Sequence, residues 1–144
     1  MNIVIVYSSR FGNGKKCVDT VDEQLRIKGH EVKIINAQKA DPSQLPPADI
    51  YIFSGATEAF NIAVGIRRYL KKLPQMDGKK YALICTHAMN RAIALNKMEK
   101  LLSKKKKMVK VAAIDFKVNN KAQQGNGLPE GYEDSLREWV EGIV

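Results

Sequence analysis

The residues with the clearest chemical potential lie between Ser8 and Gly14, where an apolar run gives way to a turn rich in hydroxyl and glycine residues. The run before them is typical of a buried strand, and the residues after them carry apolar side chains at helical spacing. A strand, a small-residue loop and a helix N-terminus in this order can direct backbone amides at one anion. The segment therefore predicts a phosphate-binding loop, although the same order also occurs in ordinary strand-to-helix turns.

The residue order in this loop excludes three other kinds of site. A P-loop requires a serine or threonine after Gly14-Lys15, and Lys16 stands there. A dinucleotide fingerprint requires a third glycine at the position of Cys17. A receiver domain would need an acidic cluster after the first strand, and the sequence has none there.

Five apolar strand segments alternate with helical patterns and must position this loop. The strands are predicted at residues 2–7, 31–36, 49–54, 81–86 and 109–116. Helices are predicted at 14–28 and along apolar stripes that begin at Ile62, Leu95 and Tyr132, whereas three prolines limit residues 37–48 to one turn at most. Strict alternation implies a parallel sheet with helices on both faces. We expect residues 1–144 to form a single α/β domain.

The composition is that of an ordinary globular chain with a strong basic excess. The net charge is +9, and residues 60–121 hold 16 Lys and Arg against 3 Asp and Glu. No apolar run approaches the ~20 residues of a membrane span, and a nucleic-acid role is disfavoured because aromatic residues do not interleave with the basic ones. Cys17 and Cys85 are predicted to be reduced core residues, which fits a cytoplasmic location.

Residues 7–13 resemble the phosphate loop of the flavodoxin family, in which an aromatic residue closes the strand and small hydroxyl residues lead to Gly-Asn-Thr. Gly14 departs from this pattern, because the family usually has a phosphate-binding threonine there. Arg10 and Lys15 are candidates to compensate with charge. The resemblance implies a three-layer doubly wound parallel five-stranded sheet in the order 2-1-3-4-5, with FMN as the cofactor. In that fold ligands sit beyond the strand C-termini, at the point where the strand order reverses.

The resemblance also implies that three loops bind the cofactor, one after each of the first, third and fourth predicted strands. The first loop would hold the phosphate, and the other two would enclose the isoalloxazine ring. Phe60 is a candidate to pack against the ring from one loop, and Met89 or His87 is a candidate from the other. The expected cofactor-binding residues are Ser8, Ser9, Arg10, Phe11, Gly12, Asn13, Gly14, Ala56, Thr57, Glu58, Ala59, Phe60, Asn61, Thr86, His87, Ala88 and Met89.

The function implied by the resemblance is electron transfer. We expect an FMN-binding electron carrier between cytoplasmic redox proteins, without catalytic or metal-binding residues, and monomeric or weakly dimeric. The Ser-x-Arg spacing of Ser8 and Arg10 is also similar to flavodoxin-like protoporphyrinogen oxidases, so an FMN-dependent oxidoreductase of that type, or of the quinone reductase type, is the alternative. A binding module of this fold without flavin is a third possibility.

Overall fold

The computed structural model describes residues 1–144 and contains one mixed sheet. Its strands are β1 (Asn2–Tyr7), β2 (Glu31–Asn36), β3 (Ile50–Glu58), β4 (Asn61–Ile62), β5 (Lys80–His87) and β6 (Val109–Lys117). Five strands are parallel and lie in the order β2-β1-β3-β5-β6, and the short β4 pairs antiparallel with the end of β3. If the five parallel strands are numbered without β4, this order reads 2-1-3-4-5. The strand order predicted from the sequence is therefore confirmed.

Four helices cover the two faces of the sheet. They are α1 (Asn13–Ile27), α2 (Val64–Lys72), α3 (Ile93–Lys100) and α4 (Tyr132–Ile143). A π-helical turn, Leu101–Lys105, extends α3, and a single 3-10 turn, Pro42–Gln44, occupies the proline-rich connection. None of the helices is long and apolar enough to cross a membrane.

The alternation of side chains along the strands builds two cores. On β1, Val4 and Val6 belong to the cluster under α2 and α3, whereas Ile3 and Ile5 belong to the cluster under α1 and α4. The central strands are apolar in nearly every position because helices cover both faces. The three-layer doubly wound architecture predicted from the sequence is therefore confirmed.

The region after β3 differs from the prediction. The strand continues to Glu58, and Ile62 lies in β4 rather than in the first turn of a helix. Ile62 stands four residues before Ile66, so its spacing fits a helix, and its side chain is buried in the same core. Ala63 has an extended backbone, however, and α2 begins only at Val64.

Candidate functional site

A cavity of about 200 Å³ lies at the carboxyl ends of β1, β3 and β5. This is where the strand order reverses, because β1 is followed in sequence by β2 on one side and pairs with β3 on the other. The structure brings all three predicted loops together here. Twelve of the seventeen predicted residues line the cavity: Ser8, Ser9, Arg10, Phe11, Asn13, Gly14, Ala56, Thr57, Glu58, Thr86, His87 and Ala88.

The remaining five predicted residues do not line this cavity. They are Gly12, Ala59, Phe60, Asn61 and Met89. Phe60 is 62% exposed and Met89 is 47% exposed, and of the three candidate ring contacts only His87 lines the cavity. The one aromatic side chain in the lining belongs to Phe11, which comes from the first loop.

Three residues of the lining were missed by the sequence analysis. Val118, Ala122 and Gln123 follow β6 and form another wall of the cavity. Gly125 permits the close approach of this wall, because a Cβ at this position would lie 2.5 Å from the carbonyl oxygen of Phe11. Gly125 also has a φ of 74°, a conformation that glycine adopts without strain. Only a glycine lets the segment after β6 approach the first loop this closely.

Asn13 ties that segment to the first loop. Its Nδ2 donates to the carbonyl oxygen of Ala122 at 2.8 Å, and its Oδ1 accepts from the backbone N–H of Gly127 at 2.9 Å. The side chain is buried, and both of its polar atoms are satisfied in this way. The Asn13 side chain therefore holds the cavity wall in place and leaves ligand contacts to the backbone.

The first loop presents unpaired backbone donors at the N-terminus of α1. The unpaired N–H groups, which donate to no protein acceptor, belong to five residues that all line the cavity: Ser9, Arg10, Phe11, Asn13 and Gly14. Helix N-termini carry partial positive charge and leave their first amides without helical partners. The chemistry of this donor set suits one oxyanion.

Ser9 gives the loop its shape. Its Oγ accepts from the backbone N–H groups of Gly12 at 3.1 Å and Lys15 at 3.2 Å. Gly12 has a φ of 99°, so the chain turns sharply into the helix at a residue without a Cβ. The Ser9 side chain thus satisfies two amides and holds the loop curved around the remaining donors.

The two basic side chains near the first loop differ in whether they form an ion pair. The Arg10 guanidinium lies 5.0 Å from the centre of the Phe11 ring and forms no ion pair. The Lys15 ammonium instead pairs with Asp19, which raises the pKa of Lys15. Arg10 is therefore the cation of the first loop that is free to meet an anion.

The opposite wall is built from the ends of β3 and β5. The buried imidazole of His87 is held at both nitrogens, with Nε2 2.7 Å from Asp115 Oδ2 and Nδ1 2.6 Å from the Met89 carbonyl oxygen. Thr57 Oγ1 accepts from the backbone N–H of Ala94, which ties the start of α3 to the wall. Because both side chains are held by protein partners, this wall is preorganised.

Thiol chemistry is not available beside the cavity. Cys85 is fully buried, and burial raises the pKa of its thiol to about 11. Reactive cysteines are exposed and have lowered pKa values, because the thiolate is the nucleophile. Cys85 is therefore a core residue, as the sequence predicts.

Similar solved structures share the whole fold at low sequence identity. A flavodoxin of Streptococcus pneumoniae TIGR4 superposes with a TM-score of 0.79 at 18% identity, over 99% of this chain and 97% of that chain. A flavodoxin from the domain Archaea has a TM-score of 0.72 at 17% identity, with 99% of each chain covered. Rubredoxin oxygen:oxidoreductase from Desulfovibrio gigas has a TM-score of 0.80 at 17% identity, and the likeness covers 99% of this chain but 35% of that one.

No protein-family model matches the sequence, and a search of curated proteins found no match. The geometry nevertheless defines the class. The protein is an α/β protein with a doubly wound parallel sheet and a cavity at its switch point. Its fold is that of the flavodoxins.

Proposed function

We propose that this protein, as a single domain of residues 1–144, binds FMN and carries electrons between redox proteins. The observation that carries the proposal is the set of five unpaired amides in the first loop, at Ser9, Arg10, Phe11, Asn13 and Gly14. These donors face a cavity at the switch point of a flavodoxin fold. One such cradle accommodates one phosphate, which favours a mononucleotide over a dinucleotide.

The rest of the cavity fits a flavin that is partly open to solvent. Its volume of about 200 Å³ is smaller than the roughly 300–1,000 Å³ typical of pockets that enclose a ligand. The walls from β3 and β5 are formed by short side chains, among them Ala56, Thr57 and Ala88. A ring held between them would keep an edge exposed. When bound, FMN supplies the electron chemistry, and the protein binds and orients it.

The first loop would position the phosphate through neutral amides and one cation. Gly14 has no side chain to donate, and Ser8 contributes a hydroxyl from the buried end of the loop. Arg10 is free to compensate, whereas Lys15 is neutralised by Asp19. Of the two cations considered from the sequence, the geometry favours Arg10.

A titration of the cofactor-free protein with FMN and with riboflavin tests this proposal. The wild-type protein should quench FMN fluorescence with an affinity that falls as salt is added. Arg10→Ala should weaken FMN binding by roughly ten- to a hundredfold, the usual value of a charge-assisted hydrogen bond, and should leave riboflavin binding almost unchanged.

Lys15→Ala provides the matched control, because it removes an equal charge from the first turn of α1, directly after the same loop. It should change FMN affinity by less than about threefold, since its ammonium is already paired with Asp19. Equal losses of FMN and riboflavin in Arg10→Ala would show that Arg10 does not contact the phosphate. A protein that takes up no FMN at micromolar concentration would refute the proposal.

An FMN-dependent oxidoreductase acting on a porphyrinogen or a quinone is the second candidate. The arrangement of Ser8 and Arg10 favours it, because both residues line the cavity and the Arg10 side chain is exposed at its mouth. Turnover measurements with the small substrate would distinguish the two functions. An oxidoreductase would turn over with the small substrate alone, whereas a carrier would exchange electrons only with protein partners.

A further inference from the structure

The strongest feature outside the cavity is a cationic groove between α2 and α3. It encloses about 380 Å³ and has nine lining residues. Six of them are basic: Arg67, Lys71, Lys97, Lys100, Lys104 and Lys105. We refer to this surface as the basic groove. It contains no carboxylate, and Ile62 and Leu101 are its only apolar residues.

The positive charge of the basic groove is not compensated within the molecule. None of its six basic residues takes part in an ion pair. The one acid on α3, Glu99, pairs with Lys110 of β6 and is therefore engaged elsewhere. Arg67 and Lys71 lie four residues apart on α2 and therefore share one side of that helix. Lys97, Lys100 and Lys104 follow one another at three to four residues along α3 and its π-helical extension, and Lys105 follows Lys104 directly. Such like-charge neighbours are mildly destabilising in the isolated protein.

The groove reaches the proposed cofactor site through the β3–β4 hairpin. Asn61 lines the groove, and its partner across the hairpin, Glu58, lines the cavity. The backbone N–H of Ala94, at the start of α3, donates to Thr57 of the cavity wall. A molecule seated in the groove would therefore contact the same hairpin that borders the cavity.

We infer that the basic groove is the docking surface for an acidic polypeptide segment of a redox partner. This inference rests on the proposed function for the nature of the partner. Carboxylates on the segment would meet the cations of the two helices. Its apolar side chains would cover the floor, which the methylene stems of the basic side chains form beside the buried Ile62 and Leu101. Such complementarity steers association and sets which partner is accepted.

Two other polyanions fit the groove less well. Single-stranded nucleic acid is held by aromatic side chains on which bases stack, and the groove has none. An anionic membrane presents a broad surface, whereas these cations line a groove of about 380 Å³ whose apolar residues, Ile62 and Leu101, are only 4% and 8% exposed. An apolar floor between rows of cations suits an amphipathic acidic segment.

The test uses a fluorescein-labelled acidic peptide and the full chain, both without FMN and after FMN addition. The peptide is about 15 residues long, near the shortest length at which a helix is stable in water, with leucine on one helical face and glutamate on the others. Fluorescence anisotropy should show saturable binding that weakens with salt. A peptide with serine in place of leucine should bind less tightly, and equal binding would overturn the assignment of the floor.

Charge reversal locates the binding. The variant K97E/K104E should weaken peptide binding about tenfold or more, because two attractive contacts become repulsive. The control K33E/K39E makes the same change in net charge on and just after the edge strand β2, and should weaken binding by less than about twofold. Far-UV circular dichroism and Tm would establish that both variants fold, and K97Q/K104Q offers a milder form of the first.

Equal losses in K97E/K104E and K33E/K39E would overturn the docking surface in favour of non-specific attraction. The proposed partner would also be overturned if oligothymidylate or anionic vesicles bound more tightly than the peptide and lost binding in K97E/K104E, because the groove would then prefer a different polyanion. Peptide binding by a protein that takes up no FMN would refute the proposed function and leave the groove assignment intact. FMN uptake without peptide binding would refute the groove assignment and leave the proposed function intact.

Discussion

At the scale of single residues, Asn13 illustrates how a motif residue can serve the fold. Its position in the first loop predicts a contact with phosphate, yet both side-chain polar atoms bind the segment after β6. An amide is suited to this because it donates and accepts at the same time. The loop thus acquires its second wall through a residue whose backbone N–H remains available to an anion.

Removing that side chain should cost stability. Asn13→Ala should lower the free energy of unfolding by about 1–3 kcal/mol, because buried partners on Ala122 and Gly127 lose their hydrogen bonds. Urea unfolding measures the loss, and amide hydrogen exchange should become faster at residues 122–127. Asn126→Ala serves as the control, since the exposed Asn126 side chain contacts only Lys16. Equal losses in the two variants would contradict this role of Asn13.

The tip of the β3–β4 hairpin stores strain in two residues. Ala59 and Phe60 have φ values of 47° and 62°, in the left-handed region that disfavours side chains. Ala59→Gly should raise the free energy of unfolding by about 0.5–1 kcal/mol, because the relief of strain exceeds the added chain entropy. Ala88→Gly, at an exposed residue without positive φ, should lower it slightly. A lower urea midpoint for Ala59→Gly would contradict the strain.

At the scale of elements, two glycines beside helices differ in the space available for a Cβ. Gly55 on β3 lies under α2, and a Cβ there would lie 2.7 Å from Ile66 Cγ2. Gly14 lies in the first turn of α1, where a Cβ would lie 3.6 Å or more from its neighbours. Gly55 is thus required for the distance between strand and helix, whereas Gly14 is not.

Alanine substitutions should separate these two cases. Gly14→Ala should raise the free energy of unfolding by about 0.5–1 kcal/mol, since alanine restricts the unfolded chain and favours the helix. Gly55→Ala should lower it by about 1–3 kcal/mol, the usual cost of overpacking a core. Thermal and urea unfolding of the cofactor-free variants would measure both values. A stabilised Gly55→Ala would show that α2 can move away from the sheet freely.

At the scale of the whole molecule, buried acids limit stability at high pH. Burial raises the pKa of Cys17 from 9.0 to about 12, and it raises the pKa of Tyr69 from 10.0 to about 12. In the unfolded chain these groups release their protons near their ordinary values, while the folded protein retains them. The unfolded state then binds fewer protons, so stability falls as the pH rises.

These groups should therefore leave stability unchanged near neutral pH and lower it from about pH 9 towards pH 12, the window set by Cys17, Cys85 and Tyr69. Urea unfolding under reducing conditions at several pH values would measure the decline. Cys17→Ala should be less stable near neutral pH but should lose less on raising the pH to about 11. An identical pH slope in this variant would show that Cys17 does not contribute.

The sequence predicted most of the architecture and the first loop of the site. Continuous β-branched runs have few alternatives to buried strands, and the helices followed from apolar spacing. Ile62 was assigned to a helix because its spacing from Ile66 fits a helix. In the structure Ile62 pairs with Thr57 and therefore belongs to β4. Gln123 and Ala122 were missed because nothing local indicates that their segment returns to the first loop.

The sequence by itself determined the properties that depend on neighbours along the chain. These are the strands, the helices, their alternation and the small-residue loop after β1. Tertiary structure alone decided that Phe11 rather than Phe60 lines the cavity, and that Asn13 binds a segment more than one hundred residues away. It also decided that cations from α2 and α3 share one groove. The reason is physical, because local patterns set which face of an element is buried, whereas the meeting of separate segments depends on how the complete core packs.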